Sequence, residues 1–389
     1  MLTLKGGRVI TPFRILDDAS ITCNEARIVD VSQSPAFSGM VIDVSGTYLM
    51  PGFIDSHVHG GGGFEFWTDD GSEILRGAEF LARHGTTSFC PSVNYGEQMV
   101  LDTATRNKLA AMKRAMASPR GATILGLHLE GPHISQAHPM IPNQPLNPAI
   151  PSVYRAFLAE APHISKWTVA PEVAGVPELI DELLSKDIVV SLGHSNARLP
   201  DIYPAYEKGV RSVTHIYSGM STISRANGRR LPGLLEAALF LDEMTVELIA
   251  NKAHLPAELI QHVWRTKGPE HICVVSDSTA ATGMPDGEIL YRGQPGYLQD
   301  GAILKQDRSG FLGAAVTSDV MFQNLVLQVG IPMMDAVRMC STTPARVLGL
   351  GHRKGVIAPG FDADIVAFDS SLQLRLVVIA GKVIYNELP

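Results

Sequence analysis

The chain has 389 residues, 45% of them hydrophobic, a mean hydropathy of +0.11 and a formal net charge of −7. That is length for one large globular domain and a smaller one, and the acidic balance argues against nucleic-acid binding as the main task, which leaves a basic footprint. No apolar run approaches the ~20 residues that span a bilayer, and Met1-Leu2-Thr3-Leu4-Lys5 lacks the layout of a signal peptide.

Chain order begins with short strands. Leu2 to Lys5, Arg8 to Ile10, Ala19 to Thr22, Arg27 to Val31 and Val41 to Val44 alternate with turn signals at Gly6-Gly7, Asn24-Glu25 and Ser45-Gly46. The last forty residues are similar: Ala363 to Phe368, Leu374 to Ile379 and Lys382 to Tyr385. Two β-rich ends predict one small β-sandwich domain from 1–50 and 350–389, flanking a catalytic domain over 51–349. Within the middle, strand candidates at Thr87 to Pro91, Thr123 to Leu129, Trp167 to Ala170, Ile188 to Leu192, Ser212 to Thr214, Val246 to Ile249 and Ile272 to Ser276 alternate with helical stretches such as Ser72 to His84, Leu101 to Ala117 and Val176 to Lys186. Strand–helix alternation of that length predicts an α/β fold, a (β/α)8 TIM-like barrel. Cys23, Cys90, Cys273 and Cys340 form no Cys-x-x-Cys pair, so a reduced cytoplasmic setting is expected.

Barrel enzymes keep their chemistry at the carboxyl ends of strands, and the polar residues fall there. An apolar run from Phe53 ends in His57-Val58-His59; strand side chains two apart share a face, so both imidazoles can reach one ion. Later runs end at Glu130, His194, His215 and Asp277. Imidazoles and carboxylates without thiolates suit zinc first, with iron, manganese or cobalt also compatible. Glu130, His194 and His215 form one ligand set, and His57, His59 and Asp277 a second, with Glu130 placed to bridge. One or two divalent ions held this way favour hydrolysis, since no dinucleotide fingerprint or thiolate cluster accompanies them. Asp277, followed by Ser278-Thr279, fits a helix N-cap equally well.

Together these residues resemble the amidohydrolase superfamily, and within it the N-acetylglucosamine-6-phosphate deacetylases. The superfamily signals are Pro51-Gly52-Phe53-Ile54-Asp55-x-His57-x-His59 and the tail Gly355-x-Ile357-x-Pro359-Gly360-x-Asp362-Ala363-Asp364. Leu129-Glu130-Gly131-Pro132 with Ala280-Ala281-Thr282-Gly283-Met284-Pro285-Asp286-Gly287 narrows the match. The resemblance implies metal-dependent removal of the N-acetyl group from a phosphorylated amino sugar. Glu130, His194 and His215 would hold the main metal and His57 and His59 a second, with Asp277 acting as general base and then acid. His138 would polarise the amide carbonyl. Other enzymes of the superfamily, cyclic-amide hydrolases and deaminases, remain alternatives; the cyclic-amide hydrolases commonly use a bridging lysine where this chain has Glu130.

Departures from the family pattern bear on specificity. Ser218-Gly219 stands where the family has Asn-Ala to hold the sugar phosphate, and Asn251-Lys252 stands where it has Asp-Gly. The glycine still offers a backbone N–H to an anion. His254 is retained, and Arg230 matches a family arginine that reaches the phosphate of a neighbouring subunit, which implies a homodimer. These departures leave N-acetylgalactosamine 6-phosphate, or another N-acyl amino sugar, as an alternative substrate.

Overall fold

The computed structural model describes residues 1–34, 39–94, 99–135 and 147–388. Eight parallel strands form the centre: β1 (Phe53–Val58), β2 (Thr86–Asn94), β3 (Leu127–Glu130), β4 (Ile164–Val169), β5 (Val189–Leu192), β6 (Ser212–Val213), β7 (Thr245–Leu248) and β8 (Ile272–Val274). Each pairs in parallel with the next. The ring closes through single bonds: the Asp277 N–H donates to the His57 carbonyl at 2.9 Å, and the Ser276 N–H to Asp55 Oδ1 at 3.3 Å.

A helix follows each of the first seven strands: Gly71–Arg83, Thr103–Ala117, Pro151–Glu160, Val176–Leu184, Leu199–Glu207, Leu234–Phe240 and Ala257–Lys267. Gly71–Arg83 starts where Asp70 accepts the Ser72 N–H, and it buries Ile74, Gly77, Ala78, Leu81 and Ala82 at three- and four-residue spacing. Val176, Leu179, Ile180 and Leu183 repeat that stripe on Val176–Leu184. Covered on both faces, β1, β4 and β7 are buried along their whole length. Fully buried Trp167 on β4 also donates its indole N–H to the Gly131 carbonyl at 2.8 Å, which fixes the loop that follows Glu130.

The two chain ends meet in one eight-stranded sheet beside the barrel. Its order runs Lys382–Asn386, Leu374–Ile379, Ile365–Phe368, Tyr48–Pro51, Leu2–Ile10, Ile15–Asn24, Arg27–Ser32, with Met40–Asp43 also paired to Leu2–Ile10. Leu4, Ile21, Leu49, Ile365 and Val378 belong to its separate core. The superfamily-type tail is the seam of this sheet. The Gly360 N–H donates to the Ile28 carbonyl, Asp362 pairs with Arg27 at 2.6 Å and Arg353 at 2.7 Å, and buried Lys354 lies 3.1 Å from Asp362.

Three local expectations are corrected. Gly6-Gly7 is no turn but an irregularity inside the single strand Leu2–Ile10. The run from Thr123 breaks into Thr123–Ile124 and β3, because Gly126 sits at φ +142 with the Ser165 hydroxyl where a Cβ would stand. No helix begins after Asp277, so its carboxylate is not an N-cap.

A further antiparallel sheet follows β8, made of Gly287–Tyr291, Gln294–Gln299, Ala302–Lys305 and Phe311–Ala314. Ala281, Tyr291, Leu298, Ile303 and Leu312 form its own small core. It is tied to the barrel by the Thr279 N–H on the Ala314 carbonyl (3.0 Å) and by Asn251 Nδ2 on the Gly301 carbonyl (2.7 Å). Among the described residues no helix is long and apolar enough to cross a membrane, and all four cysteines are buried and free.

Candidate metal centre

Six side chains from five strand ends converge at the carboxyl mouth of the barrel. Glu130 Oε1 lies 2.8 Å from His194 Nε2 and 3.1 Å from His215 Nε2. Its Oε2 lies 3.3 Å from His59 Nε2, and the His57 and His59 Nε2 atoms are 3.3 Å apart. Asp277 Oδ1 stands 3.3 Å from His57 Nε2 and 3.2 Å from His59 Nε2. Two groups with metal-ligand geometry result, His57–His59–Glu130 and Glu130–His194–His215, and they share Glu130.

The electrostatics fit a cation at the centre. With only protons to balance Glu130 and Asp277, burial would lower the His57 imidazole, but the two carboxylates outweigh it and push it up to about 10. Both acids are held well below the ordinary carboxylate range: burial raises them, and the surrounding imidazoles, His57 first, overcome it. A divalent ion would replace those protons and satisfy nitrogens that now face one another.

Backbone strain marks the same positions. His194 (φ 46), His215 (φ 26) and Asp277 (φ 48) occupy the left-handed region that glycine favours, at about 1 kcal/mol or more each. Bonds from Ser195 N–H to the Gly219 carbonyl, from Ser218 N–H to the His215 carbonyl and from Asp277 N–H to the His57 carbonyl hold them there. Gly219 lies flat against the His194 ring. A Cβ on it would stand 2.6 Å from Nδ1, and its φ is +52, so any side chain at 219 displaces a ligand candidate.

Sequence reasoning missed the layer beneath. His57 Nδ1 is 3.1 Å from Glu247 Oε2, and the other Glu247 oxygen accepts from Lys166 Nζ. Burial would raise the Glu247 carboxyl, but Lys166 and then His57 bring it down to about 2, so it is ionised and can only accept. With a metal ion bound, the one remaining His57 proton would sit on Nδ1, toward Glu247, and Nε2 would turn its lone pair to the centre. Behind it His128 is fixed between Ser92 Oγ (2.7 Å) and Thr168 Oγ1 (2.8 Å), edge-on to the His57 ring at 4.4 Å. The signal was a charged residue inside each of two apolar runs, Ser165-Lys166-Trp167 and Val246-Glu247-Leu248. Glu247→Gln should leave Lys166 as an uncompensated buried charge and loosen His57. The expected result is a loss of about 3 kcal/mol or more in stability with metal affinity lowered about tenfold or more, read by thermal melting and metal titration.

The ligands open on a cavity of about 390 Å³, whose lining includes His59, Glu130, His194, His215 and Asp277. Ser218, Gly219 and His254 line it as the sequence suggests. His254 stacks on Phe311 at 4.6 Å, and among the described residues its Nδ1 has no hydrogen-bond partner. Arg230 is not in the lining; it is exposed on the hairpin Ser224–Ala226/Arg229–Leu231. Lys252 is exposed and also outside the lining, while Asn251 is buried in its bond to Gly301. His138 lies outside the described residues.

Comparison with known proteins agrees with this geometry. Residues 48–384 match the model of the amidohydrolase family. An N-acetylgalactosamine-6-phosphate deacetylase of Escherichia coli O157:H7 is 28% identical over 97% of this chain and 98% of its own. The crystal structure of N-acetylglucosamine-6-phosphate deacetylase from Pasteurella multocida superposes with a TM-score of 0.89 at 27% identity, covering 99% of this chain and 100% of that one. A mutant of the Mycobacterium smegmatis enzyme in complex with N-acetyl-D-glucosamine-6-phosphate is similar at a TM-score of 0.85 and 27% identity, over 99% of each chain. With the barrel, the ligand-bearing strand ends and these likenesses in hand, the chain belongs to the amidohydrolase family and is a metal-dependent amide hydrolase.

Proposed function

We propose that the protein removes the acetyl group of N-acetylglucosamine 6-phosphate, giving glucosamine 6-phosphate and acetate. The observation that carries this reading is a Glu130-linked pair of metal-holding groups with an ionised Asp277 at the cavity side. Likeness to deacetylases over the whole chain supports the substrate class. Glu130, His194 and His215 hold the main divalent ion, zinc in our reading, and His57 and His59 hold a second. Bound there, a divalent ion supplies Lewis acidity toward water and the amide carbonyl.

The chain's own residues supply the rest. Asp277, whose side chain is 22% exposed where His57 is wholly buried, takes the proton of the attacking water and returns it to the departing amine. With the metal bound, Glu247 would hold the His57 proton on Nδ1 and so leave Nε2 free of one. Ser218, the Gly219 backbone and His254 contact the sugar phosphate, and His138 assists at the carbonyl. We place the enzyme in the cytoplasm as a homodimer, with Arg230 of the exposed hairpin reaching the neighbouring cavity.

Metal-loaded protein incubated with N-acetylglucosamine 6-phosphate is expected to release free amine, and no turnover with zinc, iron, manganese or cobalt overturns the substrate assignment. A second reading, N-acetylgalactosamine 6-phosphate, has support in the Escherichia coli relative of that name. The two epimers assayed side by side decide between them, with the gluco epimer expected to give the higher kcat/KM. A cyclic-amide hydrolase is disfavoured because the shared ligand is Glu130, and the buried Lys166 is engaged by Glu247.

A further inference from the structure

We infer that Glu172, a carboxylate outside the metal cluster, is a positioning residue for His194: it locks the loop that points this imidazole at the main metal position. The inference deepens the reading of Glu130, His194 and His215 as the main ligand set and rests on it. Five of the eight strand ends supply the cluster, and the end of β4 supplies none of it. The chain leaves β4 through Ala170 and Pro171 and reaches Glu172, which belongs neither to the metal-holding groups nor to the lining of the cavity. Both of its oxygens are instead committed to the two residues that follow His194. Glu172 Oε2 accepts from the Ser195 hydroxyl at 2.8 Å, and Oε1 accepts from the Asn196 N–H at 2.6 Å.

His194 needs such a lock. Its φ of 46 is a conformation that a histidine keeps only where its surroundings impose it. Left to itself the backbone relaxes to negative φ, and the rotation swings the ring away from Glu130 Oε1, which its Nε2 meets at 2.8 Å. Hydrogen bonds close a ring around the residue. The Ser135 N–H and hydroxyl both donate to the His194 carbonyl, at 2.8 and 3.0 Å. Asn196 Nδ2 donates to the same Ser135 Oγ at 3.0 Å, while the Asn196 N–H goes to Glu172. The Ser195 hydroxyl that donates to Glu172 also accepts the Ala197 N–H at 3.0 Å. The loops after three neighbouring strands, β3, β4 and β5, are thereby joined behind one ligand. Glu172 is the carboxylate of this ring, and bonds to a carboxylate are roughly twice as strong as neutral ones.

Removing the carboxylate should loosen one half of the centre and spare the other. The test titrates zinc into the metal-free full chain against a competing chelator. Glu172→Ala should weaken one equivalent of zinc about tenfold or more, while the equivalent held by His57 and His59 keeps its affinity. Glu172→Gln, which retains one acceptor oxygen, should fall between Glu172→Ala and the wild type. In kinetics with N-acetylglucosamine 6-phosphate at limiting zinc, kcat of Glu172→Ala should drop by a similar factor with KM little changed. Excess zinc should restore that kcat, which a general loosening of the fold would not permit. Wild-type zinc affinity at both positions in Glu172→Ala overturns the inference. Equal weakening of both equivalents in Glu172→Gln, with lowered melting of the metal-free protein, overturns it too, because the residue then serves the fold as a whole. Zinc affinity is read without substrate, so failure of the wild type to hydrolyse the sugar would sink the substrate reading alone.

Discussion

Asp277→Asn is expected to leave the fold and the ligand cluster in place while lowering kcat by about two to four orders of magnitude, the span of a general acid–base contribution. Amide and carboxylate are nearly isosteric, and the Asp277 N–H bond to the His57 carbonyl that helps close the barrel belongs to the backbone, so it survives the change. What disappears is a proton acceptor 3.2 Å from His59 Nε2 at the edge of the cavity. Burial acts to raise this carboxyl, and His57 first among its neighbours brings it well below the ordinary range, so the group is ionised at neutral pH and lost as a base only in strong acid. The acidic limb of the wild-type pH–rate profile should therefore be altered in the variant, beyond a uniform drop in rate. Metal content measured on the same sample separates the two roles the residue can play: retained metal with lost turnover assigns proton transfer, and kcat within a few-fold of wild type removes Asp277 from that role.

The sequence reveals the mouth of this barrel more readily than its interior. Each ligand candidate follows an apolar run, and the strand ends at His57, Glu130, His194, His215 and Asp277 bring them within a few ångströms because parallel strands in one ring share a mouth. Lys166 and Glu247 stay hidden for the opposite reason. They sit inside runs that read as core, and only the ring places β4 and β7 so that the two charges neutralise each other under His57. Gly6-Gly7 misleads because a glycine pair is as compatible with a bulge as with a turn, and long-range pairing to Ile15–Asn24 decides. The sheet from Gly287 to Ala314 escapes because its strands are only four to six residues long and are interrupted by Pro295, Gly296 and Gly313. It nevertheless supplies Arg292, Lys305 and Phe311 to the cavity. Arg230 stands on an exposed hairpin outside the cavity of its own subunit, as a residue that serves a neighbouring subunit would.

Glu130→Gln is expected to abolish stable metal binding at both positions and with it all measurable turnover. The two metal-holding groups have this residue in common. Oε1 faces His194 and His215 and, at 3.5 Å, His57, while Oε2 faces His59, so both sides depend on this one carboxylate. An amide offers one oxygen acceptor and one nitrogen donor, so whichever way the glutamine turns, one side meets N–H groups where it needs a ligand atom. It also removes one of the two negative charges that the cluster holds against four imidazoles, which weakens attraction for a divalent ion at both positions. The contrast with His57→Gln/His59→Gln makes this decisive. That pair lies on one side of Glu130, so its loss should remove about one equivalent of metal and leave His194, His215 and Glu130 with partial activity. Metal content per chain, measured after exhaustive dialysis against metal-free buffer and reloading, should fall to near zero in the first variant and to about half in the second. If the histidine variant loses all its metal, the indispensable half of the centre is the His57–His59 side, and the main ion belongs there.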